Sequence, residues 1–95
     1  MATLRLVTRD QAQPLQRRVS WSDVIRPLRA RDVRERFMAA YRAAGYSPAS
    51  FYKPAAKAAA RDALAAAETW LASESRTVEQ GALAAVRRAL EGETG

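Results

Sequence analysis

The chain has 95 residues, one small domain near the lower limit at which a single core sustains a fold. It holds no cysteine and no histidine, which excludes disulfides, thiol chemistry, Cys/His zinc sites and any His-based general base or triad. The net charge of +6 is polarised, with residues 1–57 at a balance of +8 and residues 58–95 at −2, the electrostatic footprint of a polyanion partner.

Residues 1–19 read as an N-terminal arm. Leu4 and Leu6 flank Arg5 in a brief period-2 alternation that suits a short edge strand. Residues 11–18, with Pro14 among them, then read as a polar loop. If the arm is flexible, Arg5, Arg9, Arg17 and Arg18 would lie along a phosphate backbone; a frayed terminus is the plainer reading.

Residues 20–92 read as a single helical domain. Trp21, Val24, Ile25 and Leu28 share one helical face, Ser20 with Asp23 or Ser22 alone can cap it, and Pro27 interrupts it. Asp32 and Glu35 have capping-box spacing for the next helix, and Gly45 supplies a left-handed stop. Between them Val33, Phe37, Ala40, Tyr41 and Ala44 form an apolar stripe, which leaves Arg34, Arg36 and Arg42 facing water or a ligand.

Ser47-Pro48 is a restart signal, a cap followed by a proline whose missing N–H costs nothing at the first helical position. Pro54 lies too deep for that first turn. Either the helix kinks there, or a short helix at 48–52 ends and a longer one starts at Pro54 and runs to about Ser73. Its buried stripe is Ala56, Ala60, Ala63, Leu64, Ala67, Trp70 and Leu71, with Lys57, Arg61 and Glu68 opposite. Thr77 and Gln80 have capping-box spacing for a last helix that runs to about Glu91, with Leu83, Val86 and Leu90 inward and Gly92 as its stop.

The expected fold is therefore all-α, a bundle of four or five helices with a helix-turn-helix-like corner at 45–48. Alanine supplies 22 of the residues counted in the 48% hydrophobic share, so close helix packing and modest stability are expected. A partner or a dimer would assist it, and the less charged last helix, through Leu83, Val86 and Leu90, is the candidate dimer surface. No apolar run approaches the ~20 residues of a membrane span, and no signal-peptide core follows Met1, so a cytoplasmic setting is expected.

Catalysis is not expected, and neither is a cofactor or metal. Asp62 and Glu68 lie on different faces of one helix, while Asp10, Asp23, Asp32 and Glu35 sit among arginines or at helix starts. No glycine-rich loop is present to cradle a phosphate. Binding is the better supported class. Arg26, Arg29, Arg31, Arg34 and Arg36 crowd together upstream of the corner, and each phosphate they neutralised would release counterions. The plainer alternatives are that arginine solubilises an alanine-rich protein, or that it docks on an acidic protein surface. Stacking of single-stranded bases has only Tyr46 and Tyr52 as platforms, and both are expected in the core or at its rim.

The string Ala-Gly-Tyr-Ser-Pro-Ala-Ser-Phe-Tyr within 43–53 resembles the turn and recognition helix of TetR-type repressors. The resemblance implies that Ala49, Ser50 and Lys53 face the major groove while Phe51 and Tyr52 anchor the helix to the core. Tyr41, four residues before the glycine, stands where that motif has a small residue, and its ring is expected to force the helices apart. More broadly, residues 33–91 resemble the SAM-like core-binding domain of tyrosine recombinases and integrases. The matching features are Gly45, Tyr46-Ser47-Pro48, a long helix closing on Thr69-Trp70-Leu71 and a final helix at 77–90. Only the DNA grip of that family could carry over, implying Lys53, Lys57 and Arg61 as its contacts. An ordinary corner in a helical bundle remains the alternative to both.

The reading is a small DNA-binding protein, a regulator or accessory factor of the kind found in phages and mobile elements, gripping double-stranded DNA. Arg26, Arg29, Arg31, Arg34, Arg36 and Arg42 would hold phosphates, Ser50, Lys53 and Lys57 would sit nearest the base edges, and Ser47 and Arg61 complete the DNA-binding set. Glutamate at Lys53 and Lys57 should then abolish binding and leave helicity unchanged. The alternative is a helical adaptor or inhibitor of another protein, such as a nucleic-acid enzyme. It would show Trp21, Phe51 or Trp70 exposed on a contiguous patch.

Overall fold

A computed structural model of the chain describes residues 18–92. The first helix, α1 (Trp21–Ile25), opens with the expected capping box: the Ser20 N–H donates to Asp23 Oδ2 at 3.0 Å and the Asp23 N–H to Ser20 Oγ at 3.3 Å. A turn through Pro27 and the fully buried Leu28 leads into α2 (Arg31–Ala43). Val33, Phe37 and Tyr41, four residues apart, form the buried line of α2. Gly45 then reverses the chain at φ +96°, a backbone conformation that only glycine adopts without strain.

Of the two arrangements open at the prolines, the second is found. Pro48–Ser50 make one 3-10 turn, and the long helix α3 (Pro54–Leu71) starts at the second proline. The last helix, α4 (Thr77–Glu91), follows a short loop. The described residues thus form an all-α bundle of four helices and contain no strand. The expected strand or arm at 1–19, with Arg5, Arg9 and Arg17, lies outside the described residues apart from Arg18 and Val19.

Helix α3 packs against α2 on one side and α4 on the other, and α1 closes over α4. Its contact surface is mostly alanine: Ala56, Ala59, Ala60, Ala63 and Ala67 are buried, with Leu64 and Leu71. The small side chains let neighbouring backbones approach closely, so an alanine-rich helix still builds a core. The larger volume comes from an aromatic nest. Trp21 packs its ring 4.8 Å from Tyr41 and 5.4 Å, edge-on, from Phe51, centre to centre.

Three sequence expectations are corrected here. Leu83, Val86 and Leu90 are fully buried in the core of one chain, so they offer no dimer face; α1 and α3 already cover them. Gln80 does not close a capping box with Thr77. Its Nε2 reaches back across the preceding loop and donates to the carbonyls of Leu71 at 3.1 Å and Glu74 at 2.8 Å, satisfying the end of α3. Asp32 does not cap α2 either. Ala30 is the N-cap, and Asp32 Oδ1 accepts the Val33 N–H within the first turn at 2.8 Å. The same carboxylate accepts two hydrogen bonds from Arg76, at 2.6 and 3.0 Å, which tie the start of α2 to the start of α4.

That clasp has a pH signature. The Arg76 guanidinium, chiefly, holds the Asp32 carboxyl below its ordinary value of 3.8. A depressed carboxylate contributes stability that is complete above the unfolded value and is lost as pH falls through the folded one. Arg76→Ala is therefore expected to lower the urea midpoint at neutral pH. The gap to wild type should shrink as pH falls through the folded value of Asp32, below which both states hold the proton. A gap independent of pH would mean that Arg76 acts through packing alone.

Candidate nucleic-acid interface

The arginine crowd upstream of the corner divides between two sides of α2. Arg31, Arg34 and Arg42 share one edge with Met38, spaced i, i+3, i+7 and i+11, a line of about 16 Å along the helix. Arg34, Glu35, Met38, Ala39 and Arg42 line a shallow trough on that edge. Arg34 is steadied by a 3.2 Å hydrogen bond from Nη1 to the Leu28 carbonyl. Arg31 meets Glu35 at 3.4 Å, but both are exposed, so water screens the pair and leaves the charge available. Arg26 and Arg29 are exposed in the turn that feeds this edge. Arg36 goes elsewhere, its guanidinium lying 4.3 Å over the Trp70 ring on the α3 side.

At the corner, hydroxyls expected near base edges are occupied in building the turn. Ser50 Oγ accepts the Ser47 N–H and donates to the Ser47 carbonyl, each at 3.0 Å. Tyr41 does not push the helices apart. Its ring is wholly buried beneath the corner, and its hydroxyl donates to the Ser47 carbonyl at 2.7 Å. Burial pushes the phenol above its ordinary range, so it stays a neutral donor at physiological pH. Phe51 anchors the corner as expected, but Tyr52 does not: it is 72% exposed.

The lysines of α3 also separate. Lys53 is the exposed N-cap, whereas Lys57 is only 7% exposed, with Nζ 5.6 Å from the centre of the Phe51 ring. Lys57 stands in heptad register with Leu64 and Leu71, which carries it to the buried side rather than opposite it. Arg61, one turn on, donates from Nη2 to the Leu90 carbonyl at 3.2 Å and bridges α3 to the end of α4. Glu68 joins the same seam through Arg87, whose Nε donates to Glu68 Oε2 at 2.9 Å. Lys57 therefore packs at the corner, against Phe51, and Arg61 serves the α3–α4 seam.

No family model, curated protein or solved structure matches the chain.

The charge pattern of the fold is its most uneven property. No carboxylate stands between Glu35 and Asp62, a stretch that holds Arg36, Arg42, Lys53, Lys57 and Arg61 and forms most of α2, the corner and the first turns of α3. Helix α3 begins without an acidic residue in its first turn and without a side-chain cap, and it has Lys53 at the N-cap. A cation there stands against the positive pole of an 18-residue helix, a local conflict that a bound anion would relieve. Arg42, at the other pole of its own helix, is placed favourably.

Sequence reasoning missed Arg76 and the exposure of Tyr52. Arg76 finds Asp32 across 44 positions, and nothing local signals such a pair. The Tyr52 signal was legible, because neighbours in a tight turn cannot both point inward and Phe51 is the more apolar of the two.

Proposed function

We propose that this chain binds double-stranded DNA along the edge formed by Arg31, Arg34 and Arg42 and onward to Lys53, as a regulator or accessory factor acting on a duplex. What supports the reading is the line of Arg31, Arg34 and Arg42 along α2, together with the carboxylate-free stretch from Arg36 to Arg61, within which α3 starts uncapped at the cationic Lys53. Arg26 and Arg29 extend the same positive surface at its other end. Phosphates meeting these groups gain charge-assisted hydrogen bonds and release counterions. Lys57 and Arg61 drop out as first contacts, and Ser47 and Ser50 act by shaping the turn.

The adaptor reading is less favoured by its own criterion. Phe51 is buried, Trp21 packs on Tyr41 and Phe51, and Trp70 lies beneath Arg36, so these three side chains form no open apolar patch.

The test is anisotropy of a labelled random-sequence duplex titrated against the protein from low to moderate salt. Affinity is expected to fall steeply with salt. Replacing Arg31 and Arg42 together by alanine should weaken every sequence alike and reduce the log–log slope by about two. Absence of binding at low salt would overturn the proposal and redirect the search to an acidic protein.

A further inference from the structure

Tyr52 is one of only two large apolar side chains left exposed among the described residues; Val78, at the start of α4, is the other. The tyrosine stands on a rigid base. Its predecessor Phe51 is wedged edge-on against Trp21 and Tyr41, with ring centres 5.4 and 6.4 Å away. Its own position is bracketed by two backbone hydrogen bonds, from the Phe51 N–H to the Pro48 carbonyl at 3.2 Å and from the Lys53 N–H to the Ser50 carbonyl at 3.0 Å. Pro54 follows at once and fixes the chain direction. Lys53, the cation at the end of the proposed DNA edge, has its Nζ over one face of the Tyr52 ring, 6.0 Å from its centre.

A flat ring held out into water beside a phosphate-binding lysine matches one chemistry closely, that of a nucleobase face. Every base presents such a face, and a tyrosine with two side-chain torsions loses little freedom when covered. Among the described residues there is a single such platform. Tyr46, the other candidate ring, is half-buried against Tyr41 at 6.3 Å, so no second ring continues the surface as a track for single strands would require. We propose that Tyr52 stacks on one unpaired base of a DNA duplex while Lys53 holds the adjoining phosphate, giving the protein a preference for duplexes with a local defect. The inference rests on the DNA reading above and adds a preferred substrate to it.

The experiment compares a fully paired duplex with the same duplex carrying one extra, unpaired 2-aminopurine, whose fluorescence reports stacking. The wild-type chain is expected to bind the bulged duplex about 5- to 150-fold more tightly, the range that base–aromatic stacking supplies. The fluorescence of the unpaired base should change on binding. Tyr52→Ala should erase both effects and leave affinity for the paired duplex unchanged, and Tyr52→Trp should restore them. Equal affinity for the two duplexes, or a preference that survives Tyr52→Ala, would overturn the stacking role while leaving the duplex reading in place. Failure to bind either duplex would overturn both.

Discussion

Lys53→Asp is expected to make the protein more stable and less able to bind DNA, two effects of opposite sign from one side chain. The N-cap backbone is extended, at φ −75° and ψ 137°, so an aspartate there can accept a hydrogen bond from the first turn of α3 and complement the helix dipole. A good cap is worth about 1 kcal/mol, or about 4–8 °C in melting temperature for a domain of this size. The same change removes a cation and adds an anion where a phosphate is proposed to sit, and duplex affinity should fall by about ten- to a hundredfold. Thermal melts and anisotropy on the same preparation read both quantities. If the melting temperature rises while affinity is unchanged, Lys53 is not a contact, and its conflict with the helix pole needs another explanation.

Lys57→Glu is expected to unfold the chain, because the fold buries Lys57, whereas the sequence alone suggests that glutamate at Lys53 and Lys57 together would leave helicity unchanged. Lys57 is almost fully buried and its ammonium lies over the Phe51 ring, whose negative face attracts a cation and repels a carboxylate. Burying a carboxylate in that place costs several kcal/mol, comparable to the whole stability of a small domain, about 5 kcal/mol at the lower end. Circular dichroism should show the loss of helix directly. Lys57→Met keeps the length and apolar stem of the side chain, so it should remain folded and bind duplex DNA as the wild type does. A folded methionine variant that no longer binds would return Lys57 to the interface.

Much of the fold was legible because local signals and global packing agree. Ser20 with Asp23, the restart at Ser47-Pro48, the glycine at 45 and the second proline at 54 each mark an element boundary by backbone chemistry alone, and the structure places boundaries at all of them. Capping boxes inferred from spacing were less secure. The pairs Asp32/Glu35 and Thr77/Gln80 have the right separation, yet Asp32 meets Arg76 and Gln80 meets Leu71 and Glu74. Spacing shows which groups are within reach of one another in a helix, whereas partners brought in from elsewhere in the chain compete for the same groups.

By itself the sequence determined the helices, their order, most of each buried stripe and the polarised charge, because each depends on residues within one or two turns of each other. It misplaced Ala44, which is exposed, Trp70, which is half-buried, and Lys57, which is buried. Only the tertiary structure decided which cations face solvent. Lys57 is buried against Phe51, whereas Arg36 and Arg61, although exposed, are drawn onto Trp70 and the end of α4; Arg31, Arg42 and Lys53 are exposed. The reason is reach: an arginine or lysine stem spans several ångströms, so the neighbouring helix, and not its own, settles whether its charge is used in packing or left for a partner.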